Sequence, residues 1–302
     1  MGSVVLSIDA ELGWGFVDYE TPPEDRVASG RSGWQTLCRL LDERDLRATW
    51  AVVGHLLHDA CDGRHLDHPI GSDWFAPERG AWADRRDVTC APDLVERVRA
   101  SGPDHDIGCH TYSHVEFGDP GTTRDTAAAE LERARGVMDA FGLDPRSFVF
   151  PRNNVGHVDL LSEYGFESYR GQRPVPRRSL TEKLRTVAYG GGHPPLVTPQ
   201  IHDSGLVNIP ASLFLYSFEG VALRAARHAV GDPVVKLVER GLDAAAEEDG
   251  VLHLWLHPNN LVGEPERQRI ESVLRAIDAR RDEVPVETMA DVARRERAAR
   301  VR

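Results

Sequence analysis

Lysine is almost missing from this 302-residue chain: Lys183 and Lys236 are its only lysines among 36 basic residues, against 48 acidic ones. A formal net charge of −12 disfavours nucleic acid and anionic membranes, which attract basic patches, and neither is expected as a partner. Cysteine is scarce too. Cys38, Cys61, Cys90 and Cys109 show no C-x-x-C spacing, which argues against a disulfide framework and for reduced thiols. No apolar stretch is long enough for a membrane span, and no signal peptide precedes the first strand, so a cytoplasmic protein is expected. The acidic excess further predicts a halophilic protein, because a self-repelling chain needs counterions. The Debye length falls from about 10 Å at 0.1 M salt to about 3 Å at 1 M. The melting temperature should therefore rise across that range; a flat or falling series would leave arginine-favouring codons as the account of the composition.

Against these absences stands Ile107-Gly108-Cys109-His110-Thr111-Tyr112-Ser113-His114, in which two histidines four apart follow a short apolar run and can converge on one metal ion. Cys109 beside them is expected to face the core by strand phase. Near the start, Val4-Val5-Leu6-Ser7-Ile8-Asp9-Ala10-Glu11 is an apolar strand whose two carboxylates can point to the same side. Near the end, Val251-Leu252-His253-Leu254-Trp255-Leu256-His257-Pro258 is a second apolar strand closed by a histidine. Acids and histidines at strand C-terminal ends match the layout of sites in parallel α/β folds.

Strand-like runs at 4–9, 48–53, 106–109, 148–151, 166–169 and 251–257 alternate with helical patterns at 34–41, from 92, and at 122–141, which predicts a mostly parallel sheet. Helices from about 264 and 288 read as solvated faces. Two irregular stretches, 55–89 and 173–208, read as walls of a cleft. His55, His58, His65 and His68 in the first are candidate metal ligands by residue type, but the expectation preferred for them is a hydrated loop.

The order of these segments resembles the polysaccharide deacetylases of carbohydrate esterase family 4, whose module is the NodB homology domain. The matching segments are Ser7 to Glu11, His110 to His114, Phe150-Pro151-Arg152-Asn153-Asn154 and Leu254 to His257. A branch found among glycan-biosynthesis proteins is closer still, through Ile8 to Gly15, Phe150 to Asn153, Ser168 to Gly171 and His253 to Pro258. The resemblance implies a NodB-type distorted (β/α) barrel in one domain. It implies metal-dependent removal of an N-acetyl group from a carbohydrate, with one divalent ion, zinc, as cofactor, and a cytoplasmic glycan intermediate as substrate.

Residue by residue, it makes His110 and His114 metal ligands, His257 the acid that protonates the leaving amine, and Arg152 the arginine that orients the catalytic acid. The family's second aspartate is Ala10 here. Either Glu11 is the third ligand and Asp9 the base, or the two exchange roles. Trp255 would wall the acetyl methyl, and Asn153, Tyr169 and Arg170 would contact sugar hydroxyls. Two other readings stay open: a metal-independent C–N hydrolase acting on a small cyclic amide, and a non-catalytic glycan-binding protein.

Overall fold

Ser3–Ala10 (β1) is apolar at five of its eight positions, and because it is covered on both faces all eight of its residues are buried. This computed structural model describes residues 1–172, 194–216 and 231–300. To one side of β1 lie Thr49–Val52 (β2), Asp106–Cys109 (β3), Ser147–Val149 (β4) and Ser168–Arg170 (β5), each parallel to its neighbour. Beyond β5, Gln200–Ile201 (β6) and Val207–Asn208 (β7) form a short antiparallel pair. On the other side Val251–Leu256 (β9) runs parallel to β1, with Leu213–Phe214 (β8) next to it, and Val286–Glu287 (β10) adds a second short parallel partner of β1. The sheet order is β6-β7-β5-β4-β3-β2-β1-β9-β8, a curled, mostly parallel half-barrel.

Among the described residues, helices Glu24–Asp42 (α1), Ala76–Arg79 (α2), Arg86–Thr89 (α3), Pro92–Arg99 (α4), Arg124–Ala140 (α5), Val158–Glu163 (α6), Pro233–Glu247 (α7), Glu264–Arg280 (α8) and Met289–Arg300 (α9) accompany the strands. Local chemistry starts several of them. Thr123 caps α5 through the Thr126 amide at 3.2 Å, and Asp232 caps α7 through that of Val234 at 2.9 Å. Trp34 of α1 stacks on Trp50 of β2 with ring centroids 5.4 Å apart, tying helix to sheet through fully buried rings.

The strands from β1 to β5 and β9 lie where the apolar runs predict them. Strands β6, β7, β8 and β10 have two residues each, too few to show alternation in sequence. The stretch 55–89 departs from expectation: it folds into short turns that place Phe75, Trp82 and Val88 in the main core. Of its histidines, His55 and His68 are buried and so not in a hydrated loop, while His58 and His65 are part-buried. Of the stretch 173–208, residues 173–193 lie outside the described residues.

Candidate metal centre and cleft

The sheet delivers Asp9 near the C-terminal end of β1, and the chain then turns through Leu12–Phe16, leaving Glu11 buried beside it. Gly15 is what makes room: a Cβ there would come within 2.1 Å of Glu11 Oε1. His110 and His114 lie on the turn after β3, where Thr111 and His114 adopt left-handed backbone with φ of 63° and 66°. Glu130 of α5 holds this turn. Its carboxylate accepts from the Tyr112 and Ser113 amides at 2.9 and 2.8 Å and from the Ser113 hydroxyl at 2.6 Å.

Glu11 Oε2 lies 3.0 Å from His114 Nε2 and 3.5 Å from His110 Nε2, and one ligand atom from each residue falls within 4.8 Å of the others. His110 Nδ1 is 2.7 Å from the Val149 carbonyl oxygen, so it carries a proton and donates, which turns Nε2, buried and without a well-formed hydrogen bond, toward Glu11. Burial pushes the pKa of His114 down, overcoming the pull of Glu11, which favours the neutral, ligating imidazole. Burial disfavours ionisation of Glu11, yet His257, His110 and His114 outweigh it and hold the carboxyl well below its ordinary range. Two imidazole nitrogens and a carboxylate, with one nitrogen otherwise orphaned, fit a divalent ion with open positions.

Asp9 is paired by Arg170, not by Arg152. Both oxygens of Asp9 accept from the Arg170 guanidinium at 2.6 Å, and this fork outweighs burial to keep Asp9 ionised. Arg152 turns outward to Glu116 and Asp18 at the cleft rim. Its backbone explains the difference, because Arg152 and Asn153 have φ of 52° and 54° and swing the turn away from β1.

Arg170 is itself fixed on several sides. Its Nε donates to Asn153 Oδ1 at 2.8 Å, its guanidinium carbon lies 4.5 Å from the Trp255 ring centroid, and Nη1 donates to Ser7 Oγ at 3.0 Å. The Ser7 hydroxyl donates in turn to His253 Nε2 at 2.9 Å, while His253 Nδ1 donates to the Ile209 carbonyl at 3.0 Å. Burial, helped by Arg170, drives the His253 pKa down to about 3, so the imidazole is neutral as this chain requires.

His257 Nδ1 lies 3.2 Å from Asn260 Oδ1, which aims Nε2 at Asp9, 3.6 Å away, and Glu11, 3.8 Å away. Asn259 adds a bond to Glu11 Oε1 at 3.2 Å. A cleft of about 220 Å³ opens here, bordered by Glu11, His114, His257, Trp255, Tyr19 and Arg152. A larger hollow of about 300 Å³ lies beside Asp106 at the opposite end of β3, lined by the ion-paired Arg47, Asp291 and Arg294, and holds none of these groups.

Tyr169 and Arg170 do not take the expected sugar-contacting places: both are buried, and the Tyr169 hydroxyl pairs with His202 at 3.0 Å. Cys109 is fully buried in the core, where burial pushes its thiol pKa strongly upward. Sequence reasoning overlooked Ser7, His253, Asn259 and Glu130. For the first two a signal existed, since Ser7 precedes Asp9 by two and His253 precedes Trp255 by two, on the same strand faces. Glu130 gave none within an alanine- and glutamate-rich helix.

A family model described as polysaccharide deacetylase matches residues 21–167, just under half of the chain; it covers His110 and His114 but not Asp9, Glu11 or His257. No curated protein matches the chain in sequence. Among solved structures, a protein of Mycobacterium smegmatis assigned to the polysaccharide deacetylases is similar with a TM-score of 0.65 at 18% identity, covering 99% of this chain and 92% of the other. One so assigned from Pseudomonas aeruginosa PAO1 gives 0.62 at 15% identity over 96% and 89%. PuuE allantoinase gives 0.60 at 15% over 98% and 90%. At such identities the likeness speaks for the fold, the NodB-type barrel. The chain is thus similar to the polysaccharide deacetylases over residues 21–167, and over nearly its whole length it shares the fold of these solved structures.

Proposed function

We propose that this protein removes an N-acetyl group from an amino sugar with the help of one divalent ion, zinc by donor type, held by Glu11, His110 and His114. The observation that carries the reading is the meeting of these three groups beside Asp9 and His257, with Glu11, His114 and His257 opening onto one cleft. A bound ion would polarise the amide carbonyl and acidify water from a pKa of about 15.7 toward about 7. Asp9, kept ionised by Arg170, is the base that accepts the proton of the attacking water. Glu11 serves as ligand, because it and not Asp9 lies with the two imidazoles. His257 Nε2 faces the same space and delivers a proton to the departing amine. Trp255 forms the apolar wall against the acetyl methyl, and Asn153 and the rim arginine Arg152 take positioning roles.

Support for a cytoplasmic glycan intermediate as substrate is the resemblance to the glycan-biosynthesis branch, with the acidic composition; no described helix is long and apolar enough to cross a membrane.

Acetate release from N-acetylated amino sugars is the direct test. The zinc-loaded protein should release acetate, the chelated protein should not, and His114→Ala should lose both the bound metal and the activity. Hydrolysis of a cyclic amide by the metal-free protein, without acetate release, would replace this reading with the metal-independent one. His257→Ala separates the acid from the rest of the site. Its loss should be large on the sugar amide, whose amine leaves only when protonated, and small on an activated aryl ester, whose phenolate leaves unaided. Equal losses would assign His257 to positioning or to the metal.

A further inference from the structure

A second group of metal-ligating side chains lies outside the cleft, and nothing in the proposed hydrolysis uses it. His55, Cys61, His65 and Glu78 each offer one donor atom, and these atoms fall within 4.8 Å of one another. Cys61 Sγ is 3.1 Å from His65 Nε2, which is 3.2 Å from Glu78 Oε2, and His55 Nε2 is 3.3 Å from Glu78 Oε1. We infer that these four residues bind a structural divalent cation of the zinc class, distinct from the ion of the cleft, which bolts the 55–90 segment to the sheet.

Donor chemistry supports the assignment. One thiolate, one carboxylate and two neutral imidazoles are four ligands that exactly cancel a 2+ charge, the closed four-coordinate set of structural zinc, and the sulfur favours zinc over magnesium or calcium. The outer contacts suit it as well. His55 Nδ1 faces the Thr89 carbonyl at 3.4 Å, which turns Nε2, fully buried and without a well-formed hydrogen bond, toward the cluster. The Gly63 amide donates to Cys61 Sγ at 3.4 Å.

Gly63 itself has a φ of 68°, and a Cβ there would come within 2.9 Å of Glu78 Cβ. Only glycine lets the Cys61–His65 turn close onto α2. The rings of Trp14, Phe75 and Tyr112 wall the histidines: Trp14 packs on His55 at 4.4 Å, Phe75 stacks on His65 at 3.9 Å, and Tyr112 lies 5.4 Å from His55.

These walls link the second site to the first. His55 immediately follows β2 and Gly54, and its amide donates to the Tyr112 carbonyl at 2.9 Å, inside the turn that bears His110 and His114. Trp14, three residues beyond Glu11, donates its indole N–H to the Thr89 carbonyl at 3.1 Å. An ion here would hold the insertion against both segments that supply the ligands of the cleft.

Cobalt(II) loading tests the proposal without an activity assay, because only this site contains sulfur. Wild-type protein saturated with cobalt should bind two ions per chain and show a thiolate-to-cobalt charge-transfer band in the near ultraviolet. Cys61→Ser should abolish that band and about one equivalent of cobalt. His114→Ala should lose the other equivalent and keep the band, and Cys90→Ser should leave both unchanged. A saturated wild type with no thiolate band, or a band that survives Cys61→Ser, would overturn the site and establish a metal-free hydrogen-bonded cluster. The wild-type spectrum decides even if Cys61→Ser fails to fold. Should the cleft ion be wrong and this one right, the band remains while His114→Ala leaves the metal content unchanged.

Discussion

Asp9→Asn is expected to lower acetate release by a factor of about 10² to 10⁴ with the metal content unchanged, as loss of a catalytic base does. The ion pair with Arg170 adds a second consequence that the sequence does not announce. Both Asp9 oxygens are buried against the guanidinium, so the neutral amide leaves a buried cation without its counter-charge. Breaking one side of such a pair costs about 3–5 kcal/mol. Urea unfolding should register this loss beside the kinetic one. The double exchange Asp9→Asn/Arg170→Met should recover part of the stability, since no unpaired charge remains, while recovering none of the activity. An active, fully stable Asp9→Asn protein would remove Asp9 as base and leave Glu11 to be reconsidered.

Glu130→Ala should be the most damaging change outside the cleft. The fully buried carboxylate accepts from two backbone amides and one hydroxyl of the Tyr112–Ser113 turn and lies 3.1 Å from His68 Nε2. Alanine strands all of these donors in a site water does not reach, at about 1–3 kcal/mol for each unsatisfied group, so a total loss of about 3 kcal/mol or more is expected. Because the same turn presents His110 and His114, metal affinity should also fall, by about 10- to 100-fold as for other supports of ligating histidines. Glu130→Gln, which keeps one acceptor oxygen, should lose less on both counts. A Glu130→Ala protein within about 1 kcal/mol of wild type and with unaltered metal affinity would show that the turn holds itself.

The difference between Arg152 and Arg170 marks the boundary of what residue order can reveal. Strand β5 is separated from β1 in the sheet by β4, β3 and β2, so Arg170 meets Asp9 only because the curl of the half-barrel turns both strand ends toward the same interior. Sequence places Arg152 and Arg170 at the ends of neighbouring strands. It does not carry the curl of the sheet or the left-handed backbone that sends Arg152 outward.

The same division separates the two clusters of candidate metal ligands. His110, His114, Asp9 and Glu11 sit at short, regular offsets on strand ends, where the period-two alternation of a strand and the tightness of one turn decide direction, so local chemistry sufficed to nominate them. His55, Cys61, His65 and Glu78 follow no such period. They are brought together by the folding of 55–89 onto Trp14, Phe75 and Tyr112, and that convergence depends on long-range burial of aromatic side chains, which no local spacing encodes.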